Sequence, residues 1–511
     1  MRDPLAGLPL DDAITACTAE VVGDWFRDPW GWPELAIAKS EVARPALRDA
    51  ARSAGSASVA DIDVPKSNFG VRPAVVLPVS HRVVYQAAAL AISTRTALPA
   101  SFVFGWRCRD VEGKRVLARN EGEWHGYLSG VDDSLAQSAA CVQTDISSFF
   151  ASVPTDRLIE TCHQASPGGN AISFVAEFIE RFGKQARHSG LPQRSTASAM
   201  LANLYLQPLD FQIEQLIDGG ALTAVVRWMD DIWLFGSEPR VRAVQLNMQT
   251  WLRDLGLEMN LGKTHLLVGE EREDALEEER LNEATVPEED MQTLASSGAR
   301  SKTALRVSRA LELEERILCA PYYAARPLTK YVLKSLRLNG NFERLEDWLE
   351  QAWRMPHVAD AIARYIIDAQ DSTFSEWLAD FLKGQNSLLA WSNAQLATAV
   401  PVTRLVPALR PIFDEWLVSG NVMLTAVAVS RLLAWVPDET RARIRDLAAS
   451  EANPSIQRLY LWAMLALGEE RAHVRRCAEI HSENQLTAVS LAEMGFQPRR
   501  ITRDYAAIST Q

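Results

Sequence analysis

The segment VVRWMDDIWLFG, which runs from Val225 to Gly236, places two adjacent aspartates between two apolar runs. Each run has the β-branched and aromatic composition of a strand, so the segment predicts a buried β-hairpin. Met229 and Asp230 then form its turn, and Asp230 and Asp231 lie at its tip. Neighbouring carboxylates repel each other, and burial penalises the charge on both. A fold that keeps this hairpin must therefore compensate the negative charge.

An upstream run, CVQTDI, predicts another apolar strand, which ends at Asp145. If the strands are neighbours in one sheet, Asp145, Asp230 and Asp231 converge. Two divalent cations would offset their repulsion and keep all three groups ionised. Such a site suits in-line phosphoryl transfer. A pair of aspartates by itself is more typical of a turn or a helix cap, so the metal-site interpretation needs further support.

Composition limits the classes of protein to which the chain can belong. It has 511 residues, of which 47% are apolar and 23% charged, values that predict two or three ordinary globular domains. There is no apolar run long enough for a membrane span and no signal-peptide pattern at the N-terminus. The six cysteines are scattered without a CxxC pair, which argues against a zinc site or a disulfide framework. A cytoplasmic protein is expected.

The net charge of −12 is unevenly distributed. Residues 270–290 contain eleven acidic and two basic residues, which is the pattern of a solvated linker. Residues 51–119 contain ten basic and four acidic residues. A basic segment is a weak signal for phosphate binding, and a solvated surface explains it equally well.

The pattern of apolar residues predicts an α+β region followed by an all-α region. Residues 1–60 are expected to form a helical N-terminal extension, 61–268 an α+β domain, 269–299 an acidic linker and 300–511 a helical domain. In the last range three segments share an acid-Trp-Leu core, and their tryptophans are Trp348, Trp377 and Trp416. These segments suggest a HEAT-like helical-repeat domain in which each tryptophan fills the seam between neighbours. An irregular helical bundle is the alternative.

Five blocks within residues 61–268 together resemble the motifs of reverse transcriptases. The block TDISSFF resembles the first catalytic motif, and WMDD stands where the family has an aromatic residue, any residue and two aspartates. The remaining blocks are VRPAVVLPVSHRVVYQAAALAIS with FVFGWR, SGLPQRSTASAMLANLYLQPLD, and GLEMNLGKT. The resemblance implies a fingers–palm fold over 61–268. It also implies a nucleotidyltransferase that makes DNA, either RNA-directed or template-independent.

The resemblance assigns roles to individual residues. Asp145, Asp230 and Asp231 match the catalytic, metal-binding carboxylates, which implies two Mg²⁺ ions, with Mn²⁺ as a substitute. Phe150 matches the residue beneath the nucleotide sugar, where a ring excludes a 2′-hydroxyl; either Phe149 or Phe150 is expected in the core, because adjacent strand residues face opposite sides. The other nucleotide-binding matches are Gln193, Lys263, which is placed to assist pyrophosphate departure, and Arg72, a candidate triphosphate contact.

Two positions depart from the family pattern. Arg194 replaces the glycine that usually follows the glutamine, at a point where the backbone approaches template and nucleotide closely. An arginine there would crowd the nucleic-acid groove or add a phosphate contact, which argues against processive copying of long templates. Trp228 replaces the tyrosine or phenylalanine before the aspartate pair.

The helical region after the palm most resembles the abortive-infection and unknown-group reverse transcriptases of bacterial antiphage defence. Some of these enzymes synthesise DNA without a template, start from a protein hydroxyl and assemble into rings. This resemblance implies dNTPs, DNA or RNA, further copies of the chain and a phage-encoded trigger as partners. Tyr322, Tyr323 and Tyr505 are the candidate priming tyrosines. Two alternatives remain open: an RNA-templated enzyme working with a noncoding RNA, and a non-catalytic scaffold or phage sensor.

Overall fold

The computed structural model describes residues 3–166, 169–185, 187–272, 274–276 and 300–493. Most of the predicted acidic linker, and with it Tyr505 near the C-terminus, therefore lies outside the described residues, as does the side chain of Tyr323. Contacts divide the chain into two compact units, and both are discontinuous in sequence. Unit 1 comprises residues 1–20, 47–57 and 81–283, and unit 2 comprises residues 21–46, 58–80 and 284–511.

Unit 1 is built on a five-stranded mixed sheet with the strand order β3-β7-β8-β6-β9. Strand β6 lies between β8 and β9 and is antiparallel to both, whereas β3 is parallel to β7. The strands of the sheet are β3 (Val103–Phe104), β6 (Ala140–Thr144), β7 (Ala224–Trp228), β8 (Asp231–Gly236) and β9 (His265–Val268), and a separate hairpin pairs β4 (Cys108–Val111) with β5 (Lys114–Leu117).

Helices cover the sheet, which explains why its central strands are apolar almost without interruption. Trp233 and Phe235 of β8 pack on α5, and the indole nitrogen of Trp233 donates to the hydroxyl of Tyr127 at 2.9 Å. On the opposite face of β8, Gly236 lies against Val241 of α11. The α-helices between residues 10 and 254, of which α2 belongs to unit 2, are α1 (Leu10–Val22), α2 (Glu34–Ile37), α3 (Arg44–Arg52), α4 (Val79–Ser93), α5 (Asn120–Ala136), α6 (Phe149–Ser152), α7 (Thr155–Ala165), α8 (Asn170–Lys184), α9 (Thr196–Tyr205), α10 (Gln207–Asp218) and α11 (Glu238–Asp254).

Unit 2 combines the hairpin β1 (Ala60–Pro65) and β2 (Val71–Val76) with a long series of helices. Alternate helices α13, α15, α17, α19 and α21 each contact the next, and the intervening helices pack beside them. The helices are α12 (Arg300–Cys319), α13 (Arg326–Leu338), α14 (Leu345–Gln351), α15 (Ala359–Ala369), α16 (Phe374–Lys383), α17 (Ala390–Ala397), α18 (Arg410–Leu417), α19 (Val422–Trp435), α20 (Pro437–Ser450), α21 (Pro454–Ala466), α22 (Arg471–Ala478) and α23 (Gln485–Glu493). The mixed α/β part and the helical C-terminal region agree with the sequence, and the HEAT-like assignment remains a prediction.

The three tryptophans of the acid-Trp-Leu segments differ in their surroundings. Trp348 is fully buried and donates from its indole nitrogen to Glu314 of α12 at 2.6 Å, so it does fill a seam between helices. Trp416 is also buried. Trp377 is only half-buried and stacks on the phenylalanines of its own helix.

Buried ion pairs fasten an N-terminal segment into unit 2. The Arg458 guanidinium of α21 donates to Glu34 at 2.7 Å and to Asp28 at 2.8 Å, and all three side chains are buried. Trp462 and Thr487 also donate to Glu34, at 2.9 and 2.8 Å. Contacts of this kind group residues 21–46 with the C-terminal helices. Neither predicted range, 1–60 or 61–268, therefore corresponds to one compact unit.

Candidate active site

The sheet of unit 1 brings two aspartates together. Asp145 directly follows β6, whose last residue pairs with Ile232 of β8. Asp230 lies in the two-residue turn between β7 and β8, where Trp228 pairs with Asp231. The predicted hairpin, with its turn at Met229 and Asp230, is therefore the one that forms.

The turn has a strained backbone. Met229 has a φ of 56° and is buried, although a bulky side chain rarely adopts this left-handed conformation. Such strain persists only where surrounding contacts hold it, and it concentrates at functional sites. The turn thus has the character of a constrained functional element.

The charges of the site are strongly coupled. Burial and the nearby charge of Asp145 raise the pKa of Asp230 to about 7. Asp145 is 6% exposed; its Oδ1 is buried without a hydrogen-bond partner, and its Oδ2 forms an ion pair with Lys263 Nζ. Burial lowers the pKa of Lys263, but the contact with Asp145 and the charges of Asp231 and Asp230 outweigh it and raise that pKa. Asp231 is exposed. Repulsion between the carboxylates is thus offset in part by a lysine and in part by a proton.

These carboxylates fit a divalent cation. Asp145 Oδ1 is a buried acceptor without a donor. Asp230 lies close enough to Asp145 for the charge of Asp145 to raise the pKa of Asp230. Among the described residues no three His, Cys, Asp or Glu side chains form a ready metal cage. Mg²⁺ is commonly held by one or two carboxylates together with substrate phosphates, so the absence of a protein cage in that part of the chain is compatible with such an ion.

A short turn holds Lys263 beside Asp145. The backbone N–H of Asn260 donates to the carbonyl oxygen of Asp145 at 2.8 Å, and Asn260 Nδ2 lies 3.5 Å from Asp145 Oδ2. The 3₁₀ turn Leu261–Lys263 follows, and the Lys263 side chain is largely exposed along its length. The lysine can therefore move its ammonium group away from Asp145 without unfolding the turn.

Phe149 and Phe150 lie at the start of α6. Phe149 is 2% exposed and Phe150 is half-buried, so one of the two is in the core, as predicted. The predicted reason was wrong, because the pair belongs to a helical turn and not to a strand. Ser148, with a φ of 47°, ends the extended backbone and starts the helix.

The loop that carries Gln193 packs directly on Phe150. The Leu191 N–H donates to the carbonyl oxygen of Phe150 at 2.7 Å. Gly190 has a φ of 62°, and a Cβ there would lie 2.1 Å from the same oxygen, so only glycine fits. Gln193, three residues after Gly190, is half-buried. The structure thus joins the two loops on which the predicted sugar and nucleotide contacts lie.

Arg194 is exposed in the turn before α9 and has a φ of 67°. Glycine adopts this conformation without strain, whereas an arginine does so at a cost of about 1–2 kcal/mol. The backbone at this position therefore keeps the shape that suits the glycine of the family pattern, although the residue has changed.

Sequence reasoning missed a buried network behind the turn. Arg227 of β7 is fully buried and donates to Asp210 at 2.8 and 2.6 Å. The same guanidinium donates to Asn203 at 3.0 Å and to the carbonyl oxygen of Met229 at 2.8 Å. The signal was an arginine in the middle of an apolar strand, a position that burial tolerates only with partners.

Trp228 packs against the FVFGWR block. Its ring lies over Gly105, where a Cβ would be 3.2 Å from the indole, and it contacts Trp106 and Trp124 edge-on. Asn203 Nδ2 donates to the carbonyl oxygen of Gly105 at 2.9 Å. The larger indole in place of tyrosine or phenylalanine is thus accommodated by an aromatic cluster next to the turn.

Four predicted residues, Arg72, Tyr322, Tyr323 and Tyr505, belong to unit 2 or lie outside the described residues, and the side chain of Tyr323 is among the latter. Arg72, on β2, places its guanidinium 5.2 Å from the centre of the Trp25 ring. Tyr322 lies in the 3₁₀ turn Pro321–Tyr323, half-buried between the rings of Phe69 and Trp353. Tyr505 lies outside the described residues. The triphosphate and priming roles of these residues stay predictions.

Comparison with known proteins identifies the matched region. Residues 64–295 match the family described as Reverse transcriptase (RNA-dependent DNA polymerase). A comparison with curated proteins found no match. The chain therefore contains a reverse transcriptase domain, and such a domain implies nucleotidyl transfer with nucleotides and nucleic acid as ligands. Reverse transcriptase domains generally use divalent metal ions. No helix among the described residues is long and apolar enough to cross a membrane.

Proposed function

We propose that the reverse transcriptase domain of this chain is an active DNA polymerase whose catalytic carboxylates are Asp145, Asp230 and Asp231. The observation that carries the proposal is the meeting of Asp145 and Asp230 beside Lys263, with one carboxylate oxygen of Asp145 buried and lacking a donor. A purely structural ion pair would not place a second aspartate there, because its repulsion destabilises the metal-free fold. A polymerase that binds metal ions at these carboxylates accounts for their close approach.

Asp145 and Asp230 would hold the divalent cations, with Mg²⁺ as the expected ion. When bound, the cations supply positive charge that favours deprotonation of the attacking hydroxyl and offsets the charge of the reacting phosphates. Asp230 must release its proton before it can act as a ligand, because its pKa near 7 leaves it partly protonated at neutral pH.

The remaining residues bind and orient the nucleotide. Lys263, once released from Asp145, is placed to donate a proton to the departing pyrophosphate. The half-buried ring of Phe150 selects deoxynucleotides by excluding a 2′-hydroxyl, and Gln193 lines the nucleotide pocket on the adjoining loop. The backbone contacts between these two loops keep the pocket in shape.

Template-independent, protein-primed synthesis is the mode that we propose, and Arg194 supports it. This residue puts a long charged side chain on an exposed turn where the family pattern has glycine. An enzyme that copies short segments of a noncoding RNA would tolerate the same arginine and is the alternative. A non-catalytic scaffold is less well supported, because all three aspartates, Gln193 and Lys263 are present.

We also propose a role in antiphage defence, with the chain working as a homo-oligomer in the cytoplasm and responding to a phage-encoded trigger. The support is the architecture: a reverse transcriptase domain accompanied by a large helical unit. This part of the proposal is tested by phage infection of cells that express the wild type or the aspartate variant.

The central experiment measures incorporation of labelled dNTP by the purified protein with Mg²⁺ or Mn²⁺. Changing both Asp230 and Asp231 to alanine is expected to abolish incorporation while the circular dichroism spectrum stays native. Asp218→Ala, which removes an exposed aspartate at the end of α10, is the matched control and should remain active. Incorporation by the double variant at the wild-type rate would disprove the assignment of the active site.

The mode of priming is tested with the same label. Protein priming predicts labelled DNA that stays with the polypeptide through denaturing electrophoresis and phenol extraction, and that disappears in the aspartate variant. A Tyr→Phe change at Tyr322, Tyr323 or Tyr505 should remove this label while extension of an added primer continues. Label that heat and detergent release intact would favour the noncoding-RNA alternative.

A further inference from the structure

Unit 2 concentrates basic side chains on two helices that pack together, α13 and α15. On α13 they recur every three or four residues, which places them on one face of the helix. Arg364 projects from α15, and Arg27 joins from the N-terminal segment of the same unit. The cationic face is defined as Arg27, Arg326, Lys330, Lys334, Arg337 and Arg364.

Three of these cations converge on one carboxylate oxygen. Asp360 Oδ2 lies 2.9 Å from Arg326 Nη2, 3.9 Å from Lys330 Nζ and 4.0 Å from Arg27 Nη2. Burial raises the pKa of Asp360, but these cations and Arg364 outweigh it and lower that pKa. A second carboxylate, Asp368, pairs with Arg337 of the same face at 3.0 Å. In these ion pairs four basic side chains thus meet two carboxylates, so the basic groups are in excess.

Arg326 retains unused hydrogen-bonding capacity at this point. Its Nη1 is buried without a hydrogen-bond partner, while its guanidinium lies 5.6 Å from the centre of the Trp391 ring. Burial, together with the charges of Arg326, Arg364 and Arg27, lowers the pKa of Lys330 to about 8 in spite of Asp360. A buried guanidinium N–H without a partner is costly, and a phosphate oxygen is the acceptor that it binds best.

The cationic face is extended, and its end near Arg326 and Lys330 is partly exposed. Arg326 and Arg337 are eleven positions apart, which corresponds to about 17 Å along a helix. At about 3.4 Å per phosphate, the rise along a helically stacked strand, that length corresponds to roughly five phosphates. The side chains of Arg326 and Lys330 are 28% and 34% exposed, whereas that of Arg337 is 11% exposed. A ligand can therefore reach the face at its Arg326 end.

Aromatic rings adjoin the N-terminal end of this face. Tyr322, four residues before Arg326, and Trp353 are both half-buried, and Arg354 lies 5.8 and 4.9 Å from the centres of their rings. Basic side chains combined with accessible aromatic rings are typical of sites that bind single strands, because unpaired bases stack on the rings.

We infer that the cationic face of unit 2 binds the phosphodiester backbone of a single-stranded nucleic acid. The inference rests on unit 2 alone and holds whether or not the reverse transcriptase domain polymerises.

The test measures binding of a fluorescein-labelled oligo(dT) to the full-length protein by anisotropy over a range of salt concentrations. Lys330→Gln and Arg364→Gln should each weaken binding, and each should reduce the slope of log K against log salt by about 0.7 for one lost phosphate contact. Arg475→Gln is the matched control, because Arg475 is an exposed helical arginine paired with Glu479 in the same unit. It should leave the slope unchanged.

A substitution with the opposite expected effect on binding separates ligand binding from a purely structural role. Asp360→Asn removes the central carboxylate and should tighten oligo(dT) binding, because it raises the net positive charge of the face. Thermal melting of every variant checks the fold. A melting temperature that falls in Asp360→Asn without tighter binding would overturn the inference, and so would salt slopes equal to that of Arg475→Gln in both glutamine variants.

Competition identifies the ligand class. Unlabelled oligo(dT) should displace the labelled strand at much lower concentrations than inorganic triphosphate, duplex DNA or polyglutamate. Equal displacement by triphosphate would point to a free nucleotide, and by polyglutamate to an acidic protein. Equal displacement by duplex would contradict the single-strand assignment. Each of these three results would overturn the inference.

Discussion

Replacement of Arg227 by methionine tests whether the buried network holds the turn at Met229 and Asp230. Arg227 is fully buried, and its partner Asp210 is 4% exposed at the side chain. Removing one partner of a buried ion pair costs about 3–5 kcal/mol, because the other charge is left uncompensated. The carbonyl oxygen of Met229 and Asn203 Oδ1 lose a donor as well. We therefore expect Arg227→Met to lower the free energy of unfolding of unit 1 by about that amount.

A second substitution separates stability from the position of the turn. Burial raises the pKa of Asp210 and Arg227 lowers it, so Asp210 without the arginine becomes a group that resists ionisation. Replacing Asp210 by leucine in the Arg227→Met background removes that group, and apolar replacement of a whole buried pair is often neutral. The double variant should regain most of the lost stability. It should not regain dNTP incorporation, because the strained turn at Met229 still lacks its donor.

The assays are urea unfolding followed by tryptophan fluorescence, and dNTP incorporation at a temperature where both variants are folded. Arg227→Lys is a useful intermediate, because a single ammonium cannot bond Asp210 and Met229 in the geometry of the guanidinium fork. Wild-type incorporation by the double variant would show that the bond to Met229 does not hold the turn. A loss of less than about 1 kcal/mol in Arg227→Met would refute the estimate from burial.

Four further predictions concern the loops and charges of the site. Phe150→Ala should lower the ratio of dNTP to NTP incorporation by roughly 10²-fold, and an unchanged ratio with activity retained would place the sugar gate elsewhere. Gly190→Ala should reduce both stability and incorporation, because its Cβ would lie 2.1 Å from the carbonyl oxygen of Phe150, whereas Gly183→Ala, in open space, should do neither. Arg194→Gly should raise the urea midpoint by relieving its positive φ and should improve copying of a supplied primer–template; a variant equal to the wild type in both assays would contradict this. Because the pKa of Asp230 is raised to about 7, its proton stabilises the metal-free fold at low pH, and this contribution is lost as the pH rises through 7. Mg²⁺ must displace the same proton, so calorimetry should find weaker Mg²⁺ binding at pH 6 than at pH 8, and equal affinity would argue against Asp230 as a ligand.

The sequence was most informative where local pattern and chemistry coincide. Apolar runs and the polar residues that interrupt them predict the hairpin at Met229 and Asp230, the strand before Asp145 and the helical C-terminal region. The pairing of Lys263 with Asp145 agrees with the motif order, although the contact itself spans residues far apart in sequence. Local patterns describe elements well because the elements are held by local hydrogen bonds and by the faces they bury.

The features that escaped prediction depend on contacts between distant residues. The grouping of residues 21–46 with the C-terminal helices is held by Arg458, whose partners no periodicity reveals. An arginine within an apolar strand indicates that buried partners exist, but the sequence does not show that the partners of Arg227 are Asp210 and Asn203. The helical turn at Phe149 was missed because it starts from the left-handed backbone of Ser148, which the apolar pattern does not encode.

The bond between Glu34 and Arg458 also imposes an order on biosynthesis. Its two residues are 424 positions apart, so at about 5–20 residues per second the ribosome needs roughly 20–80 s to supply the partner. Until Arg458 has been synthesised, the buried pairs that it forms with Asp28 and Glu34 cannot be made. The strands of the five-stranded sheet lie between Glu34 and Arg458 in the chain, so all of them are synthesised before Arg458. The buried core of unit 2 around Arg458 therefore joins a segment that is made early to a helix that is made 424 residues later.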